Sequence, residues 1–321
     1  MDDFNYNLID KAYNVIKEHV IKTPLVTNDN INKLLGSKVF FKLENLQKTG
    51  SFKFRGATYK LSTLSDSQKN NGVVAYSSGN HAQAVACSSL SRNINAKIIM
   101  PSNAPKIKIE NTKNYKANVV LYNPVKEVRE EIGDKIAKDE NRTIIPPYDD
   151  YNIIAGQGTL GKEISDQLES MQIIPDLYLC CCGGGGLIAG TSTYLKYKFP
   201  KIKSYSVEPK NFEDTKFSLE KGFIDRNKDN NFSICDALLA PQPGRLTFPI
   251  NIKNLSGGLV VADEEVKNTI TFLAEHLKII SEPGGAVAAA AILHNKIDIK
   301  NKNVVVMISG GNIDLELFRS L

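Results

Sequence analysis

Apolar positions Leu8, Ile9, Ala12, Tyr13, Ile16 and Val20 recur at helical spacing, which predicts an amphipathic helix at the start of the chain. Beyond it the pattern changes to short β-branched runs separated by longer helical stretches. Residues 39–43, 73–76, 97–100, 118–122, 177–180, 204–207 and 304–308 read as strands. Helices are expected after Lys53, after Asn80, near Gly158 and after the glycines at 183–186. Continuous apolar strands alternating with helices predict an α/β fold, with parallel strands covered by helices on both faces. There is no internal repeat, low-complexity tract or long linker. Residues 72–142 lie between a polar stretch, 65–71, and the Pro146-Pro147 break. They are expected to form a small mobile domain inserted into a large one made of residues 1–71 and 143–321.

Composition narrows the function classes. A chain of 321 residues with 42% hydrophobic and 23% charged residues suits one large or two medium domains of a soluble globular protein. The densest basic stretch, 106–116, is broken by Ile107, Ile109, Glu110 and Tyr115, and reads as a solvated helix face rather than a nucleic-acid groove. No apolar run approaches membrane-spanning length, and the start, Met1-Asp2-Asp3, is acidic. Cys180, Cys181 and Cys182 are consecutive at a strand end, where neighbours face opposite ways. That pattern gives neither a disulfide framework nor a metal cluster, and a reducing cytoplasm is expected. The scattered histidines show no zinc-site spacing.

Candidate chemistry centres on Lys53, within Ser51-Phe52-Lys53-Phe54-Arg55-Gly56-Ala57, and on the run Gly183-Gly184-Gly185-Gly186. A lysine amine forms an imine with an aldehyde, and glycines opening a helix can cradle a phosphate. Together they point to an aldehyde cofactor with a phosphate tail, pyridoxal phosphate. Ligands of open α/β sheets sit beyond the carboxyl ends of the strands. Four polar or glycine-rich loops fall there: 77–81, 183–187, 281–285 and 309–312. Each also has a plainer reading, as helix caps for Ser77 and Asn80, a turn for Gly310-Gly311, and a proline-started helix for Ser281-Glu282-Pro283.

With these residues in place the chain resembles the fold-type II pyridoxal-phosphate enzymes, and within them the threonine/serine dehydratase and serine racemase group. The similarity runs through Thr23-Pro24-Leu25, 42–57, 77–82, 155–159, 183–186, Val207-Glu208-Pro209 and 309–314. It implies a tryptophan synthase β-like architecture of two open, twisted parallel-sheet lobes. It also implies roles. Lys53 would carry the cofactor and move the α-proton, Phe52 would pack on the ring, and Asn80 would bond its phenolic oxygen. The amides of Gly183, Gly184, Gly185, Gly186 and Leu187 would hold the phosphate, and Ser309 would bond the pyridine nitrogen. Ser78, Gly79, Asn80 and His81 would receive the substrate carboxylate at a helix N-terminus. The implied reaction removes water from L-threonine and/or L-serine, and the product hydrolyses to a 2-oxo acid and ammonia.

The same resemblance keeps relatives of that reaction in view. Ser78 stands where serine racemases and hydroxyaspartate dehydratases carry a serine able to act as a second acid/base; it also reads as a capping hydroxyl. Arg129 matches an arginine able to reach a second carboxylate, as in 3-hydroxyaspartate; alone it reads as a surface ion pair. Glu208, the carbonyl of Phe212 and Asp214 match a divalent-cation site suited to Mg²⁺, Mn²⁺ or Ca²⁺; a solvated acidic loop is the alternative. Cys235-Asp236-Ala237 departs from the Ala-Asp-Gly usual at the pocket edge. The chain ends soon after Asp314, so the regulatory domain of biosynthetic threonine dehydratases, with its amino-acid feedback, is not expected. A homo-oligomer, dimer or tetramer, is the expected assembly. A non-catalytic cofactor-binding protein is the rival from another class.

Overall fold

The computed structural model describes residues 4–77, 79–104, 106–228 and 231–321. Among them the strands are β1 (Leu25–Val26), β2 (Lys38–Leu43), β3 (Val73–Tyr76), β4 (Ala96–Pro101), β5 (Asn118–Tyr122), β6 (Thr143–Ile144), β7 (Leu177–Cys181), β8 (Lys203–Pro209), β9 (Leu255–Val261) and β10 (Asn303–Ile308). They form a six-stranded sheet, β1-β2-β10-β7-β8-β9, and a four-stranded sheet, β5-β4-β3-β6. Pairing is parallel throughout, except that the edge strand β1 runs antiparallel to β2. β10 lies inside the large sheet, and its residues Val304–Ile308 are wholly shielded from solvent, as a strand covered on both faces requires.

The strands expected from apolar runs are all present, and three more accompany them. β1 and β6 have two residues each, too few to show a period. β9 contains Gly257-Gly258 and meets β8 through a register shift at Ser204/Tyr205, so its sequence lacks a continuous apolar run. β6 lies just beyond residue 142, so the small sheet takes a strand from outside the 72–142 segment. The first helix spans Tyr6–Ile16 and stops before Val20, which is nevertheless buried. Among the described residues no helix is long and apolar enough to cross a membrane.

Glycines set how three helices meet beneath the site. A side chain on Gly190, in helix Gly186–Lys198, would collide with the Ile154 carbonyl and meet the Gly158 Cα at 2.7 Å, both in helix Tyr151–Ser170. A side chain on Gly156 would meet the Arg55 carbonyl oxygen at 2.8 Å, in helix Lys53–Ser62. Backbone-to-backbone approach of this kind fixes the separation of the helix carrying Lys53 from the helix opened by the glycine loop.

Under the same helices lies a dry ion cluster. Arg55 is wholly buried and bonds Glu44 (Nε–Oε2 2.8 Å) and Glu163 (Nη1–Oε1 2.7 Å). Lys42, also wholly buried, donates to Glu163 Oε2 at 2.8 Å and to the Thr23 carbonyl at 2.8 Å. Thr23 Oγ1 donates to Glu44 Oε1 at 2.6 Å. Two cations meet two anions, so the cluster is neutral and every member is bonded, the condition under which buried charge is tolerated.

Candidate active site

Lys53 and Ser309 are far apart in sequence but are held on two loops tied edge to edge. The Phe52 N–H donates to the Ser309 carbonyl at 3.1 Å, the Gly311 N–H donates to the Gly50 carbonyl at 2.9 Å, and Ser51 and Gly310 form an antiparallel bridge between them. Both side chains line a cavity of about 340 Å³ between the carboxyl ends of the two sheets. Lys53 Nζ donates to the Pro147 carbonyl at 2.7 Å and sits 5.2 Å from the Phe52 ring centre. Burial lowers its pKa to about 8, against a smaller upward pull from Cys181 and Glu282.

The glycine run leaves β7 and opens helix Gly186–Lys198. Gly185 has φ +87°, a left-handed conformation that side chains resist, and a side chain on Gly184 would overlap the Tyr148 ring. Thr247 Oγ1 donates to the Gly184 carbonyl at 2.7 Å and Asn251 Nδ2 to the Gly185 carbonyl at 3.3 Å. These bonds hold the loop in place, and the first-turn amides of the helix, which have no intrahelical partner, form an anion site. Leu187 and all four glycines border the cavity.

A second helix, Asn80–Leu90, points its N-terminus into the same cavity. Ser78 lies outside the described residues. Gly79 precedes the helix and its N–H donates to Ser77 Oγ at 3.2 Å. Asn80 donates through Nδ2 to Glu282 Oε1 at 2.5 Å and accepts through Oδ1 from Asn312 Nδ2 at 2.7 Å. This chain of bonds fixes which way the amide faces. Burial raises the Glu282 pKa to about 7, with Asp236 adding to it and the Asn80 bond working against it. His81 is held neutral: burial, with Lys53 nearby, lowers its pKa to about 3, and its Nε2 donates to the Ile145 carbonyl at 2.9 Å. The His81 ring therefore supplies no charge to a substrate.

Two further cations border the cavity. Arg129 opens helix Arg129–Asp139, bonds Glu130 at 2.8 Å and lies 5.5 Å from the Tyr76 ring centre. It is thus both an ion pair and a cavity residue. Lys108 overturns the expectation of a uniformly solvated basic helix at 106–116. Its side chain is 13% exposed, reaches the cavity and pairs with Asp236 at 2.6 Å. Asp236 and Ala237 border the cavity, as their place at the pocket edge leads one to expect, and Tyr148 and Leu238 do so without any sequence signal.

The residues of the expected cation site lie apart from this cavity, at the end of β8. Glu208 is wholly buried and accepts from the amides of Thr215 and Lys216, each at 2.8 Å. Asp214 Oδ1 accepts from Asn227 at 2.6 Å, while its Oδ2 is buried without a partner. Burial pushes Asp214 up to about 7, and burial together with Asp214 pushes Glu208 well above the carboxylate range. Phe212 is buried between them in sequence. Among the described residues no cluster of three or more His, Cys, Asp or Glu side chains is placed to hold a metal. The Glu208 and Asp214 side chains are buried rather than solvated.

A family model described as pyridoxal-phosphate dependent enzyme matches residues 16–310. The chain belongs to this family. A serine racemase of Schizosaccharomyces pombe is 40% identical, covering 98% of this chain and 95% of its own. An L-threo-3-hydroxyaspartate ammonia-lyase of Saccharomyces cerevisiae is 38% identical, over 97% of this chain and 94% of its own. A solved T.th. threonine deaminase superposes with a TM-score of 0.92 at 35% identity, covering 97% of this chain and 99% of its own. The fold-type II resemblance and the two-sheet α/β architecture are thereby established. As in other pyridoxal-phosphate dependent enzymes, the cavity has to accept an aldehyde and a phosphate. A low-pKa lysine and a glycine cradle that a side chain would fill meet both needs.

Proposed function

We propose that this pyridoxal-phosphate dependent enzyme is an ammonia-lyase that removes water from L-threonine and/or L-serine to give a 2-oxo acid and ammonia. The observation that carries it is Lys53. Its amine, with a pKa near 8, faces a cavity into which two helix N-termini open. Bound pyridoxal phosphate supplies the electron-withdrawing ring that makes an α-proton acidic. Gly183–Leu187 would hold its phosphate, Phe52 would cover its ring, and Asn80 and Ser309 would bond its polar edges. An amine of this pKa is a competent base near neutral pH and takes the α-proton. Ser309, a neutral hydroxyl at the cavity wall, would bond the ring nitrogen without supplying the negative charge that holds such a nitrogen protonated. The Gly79–His81 amides orient the carboxylate.

A second reading, serine racemase or 3-hydroxyaspartate ammonia-lyase, is favoured by Arg129 at the cavity and by what the two yeast relatives are called. There Ser78 would act as the second acid/base and Arg129 would take a second carboxylate. Incubation with L-threonine, L-serine and 3-hydroxyaspartate, with product analysis, separates the readings. A 2-oxo acid from threonine or serine supports the lyase; D-serine indicates racemisation and oxaloacetate the dicarboxylic substrate. No turnover of any of them would leave a cofactor-binding protein. We further propose a structural divalent cation held by Glu208, Asp214 and the Phe212 carbonyl. Support comes from the orphaned Asp214 oxygen and from two neighbouring carboxylates whose charged forms burial disfavours, a cost that a cation between them would offset.

A further inference from the structure

The Lys108–Asp236 pair spans the mouth of the cavity. Lys108 belongs to helix Lys106–Asn114, which packs on the small sheet, and Asp236 to the short helix Asp236–Leu238 of the large domain. The two partners are unequal. Lys108 is 13% exposed and Asp236 is 53% exposed, so the ammonium is committed to the cavity whereas the carboxylate can turn to water. The ammonium also hangs over the anion-binding helix start, since a Cβ on Gly79 would meet Lys108 Nζ at 4.0 Å.

We infer that Lys108 is the counter-ion of the substrate α-carboxylate, and that Asp236 competes with the substrate for it. A carboxylate seated on the Gly79–His81 amides lies beside this ammonium. It would replace an acid that loses little on hydration. Exchange of this kind keeps the cation bonded before and after binding, so no buried charge is stranded. It rests on the lyase reading only in taking an amino acid as the ligand.

Calorimetric binding of L-alanine, which has no β-hydroxyl to lose, to the cofactor-loaded protein tests the inference. K108M is expected to weaken binding by about tenfold or more, the range of a lost charge-assisted hydrogen bond. D236N is expected to tighten it a few-fold, because the competitor is gone. A merely structural pair would make both variants weaken binding together; that result, or an unchanged affinity in K108M, overturns the inference. If K108M fails to fold, the sign of the D236N effect decides alone. Turnover plays no part in the readout. Opposite shifts in a protein that turns over none of the hydroxy amino acids would support Lys108 and remove the lyase reading.

Discussion

Replacing Glu163 with glutamine probes the dry ion cluster under Lys53. The substitution keeps the shape but leaves Lys42 and Arg55 facing Glu44 alone, one uncompensated cation where solvent exposure is about nil. Breaking a buried pair from one side typically costs about 3–5 kcal/mol, and that range is expected for E163Q. K42M leaves one uncompensated anion and should cost a similar amount. The double variant restores neutrality, because Arg55 still meets Glu44, and the Thr23 carbonyl keeps its bond from Gln167 at 3.0 Å. Its loss should therefore fall short of the sum of the single losses by about 2 kcal/mol or more. Urea unfolding of the four proteins measures the cycle. Burial pushes the Glu163 pKa up, but Arg55 and Lys42 together hold it below the usual carboxylate range. Its contribution is thus present above the unfolded carboxylate pKa and is lost as pH falls through the lower, folded value. Additive losses would refute the picture of a cluster balanced as a unit.

Three other outcomes follow from the site. Gly184→Ala should thrust a methyl into the Tyr148 ring, costing about 1–3 kcal/mol and weakening cofactor retention, read as loss of the visible absorption band; a fully coloured, stable variant would contradict it. Glu282, raised from 4.5 to about 7, binds its proton more tightly when folded, so its share of stability falls as pH rises between those values. E282Q should flatten that slope, by on the order of 3 kcal/mol across the window, and parallel pH profiles would exclude it. If a divalent cation occupies Glu208 and Asp214, Mg²⁺, Mn²⁺ or Ca²⁺ at a hundredfold excess over its Kd should add about 2.7 kcal/mol, seen as a Tm rise of several degrees that EDTA reverses. An identical Tm in metal and in chelator counts against the site.

Parallel strands buried on both faces announce themselves as apolar runs, and for that reason β2, β7 and β10 were legible. β9 was not, because Gly257-Gly258 interrupts it, and β1 and β6 were too short for any period. Lys53 and the glycines stand out because few other residue types can do their chemistry. Asn80 and Ser309 became candidates through their place at strand ends. Lys108 was hidden in a basic stretch where every second residue looks solvated, and only the turn of its helix aims it at the cavity. Asn312 lies in the 309–312 loop at a strand end, but nothing local shows that it orients Asn80 from 232 positions away.

The stitched loops at Ser51 and Gly310 bear on how the protein is made. The amine that captures the vitamin is translated early, yet the backbone that fixes its position leaves the ribosome only after the other strands of both sheets. A nascent chain lacking β10 would leave the Gly50–Phe52 segment that leads into Lys53 untethered. Colour development during synthesis should therefore lag until that strand and the loop beyond it emerge, making cofactor capture a late checkpoint of completed folding.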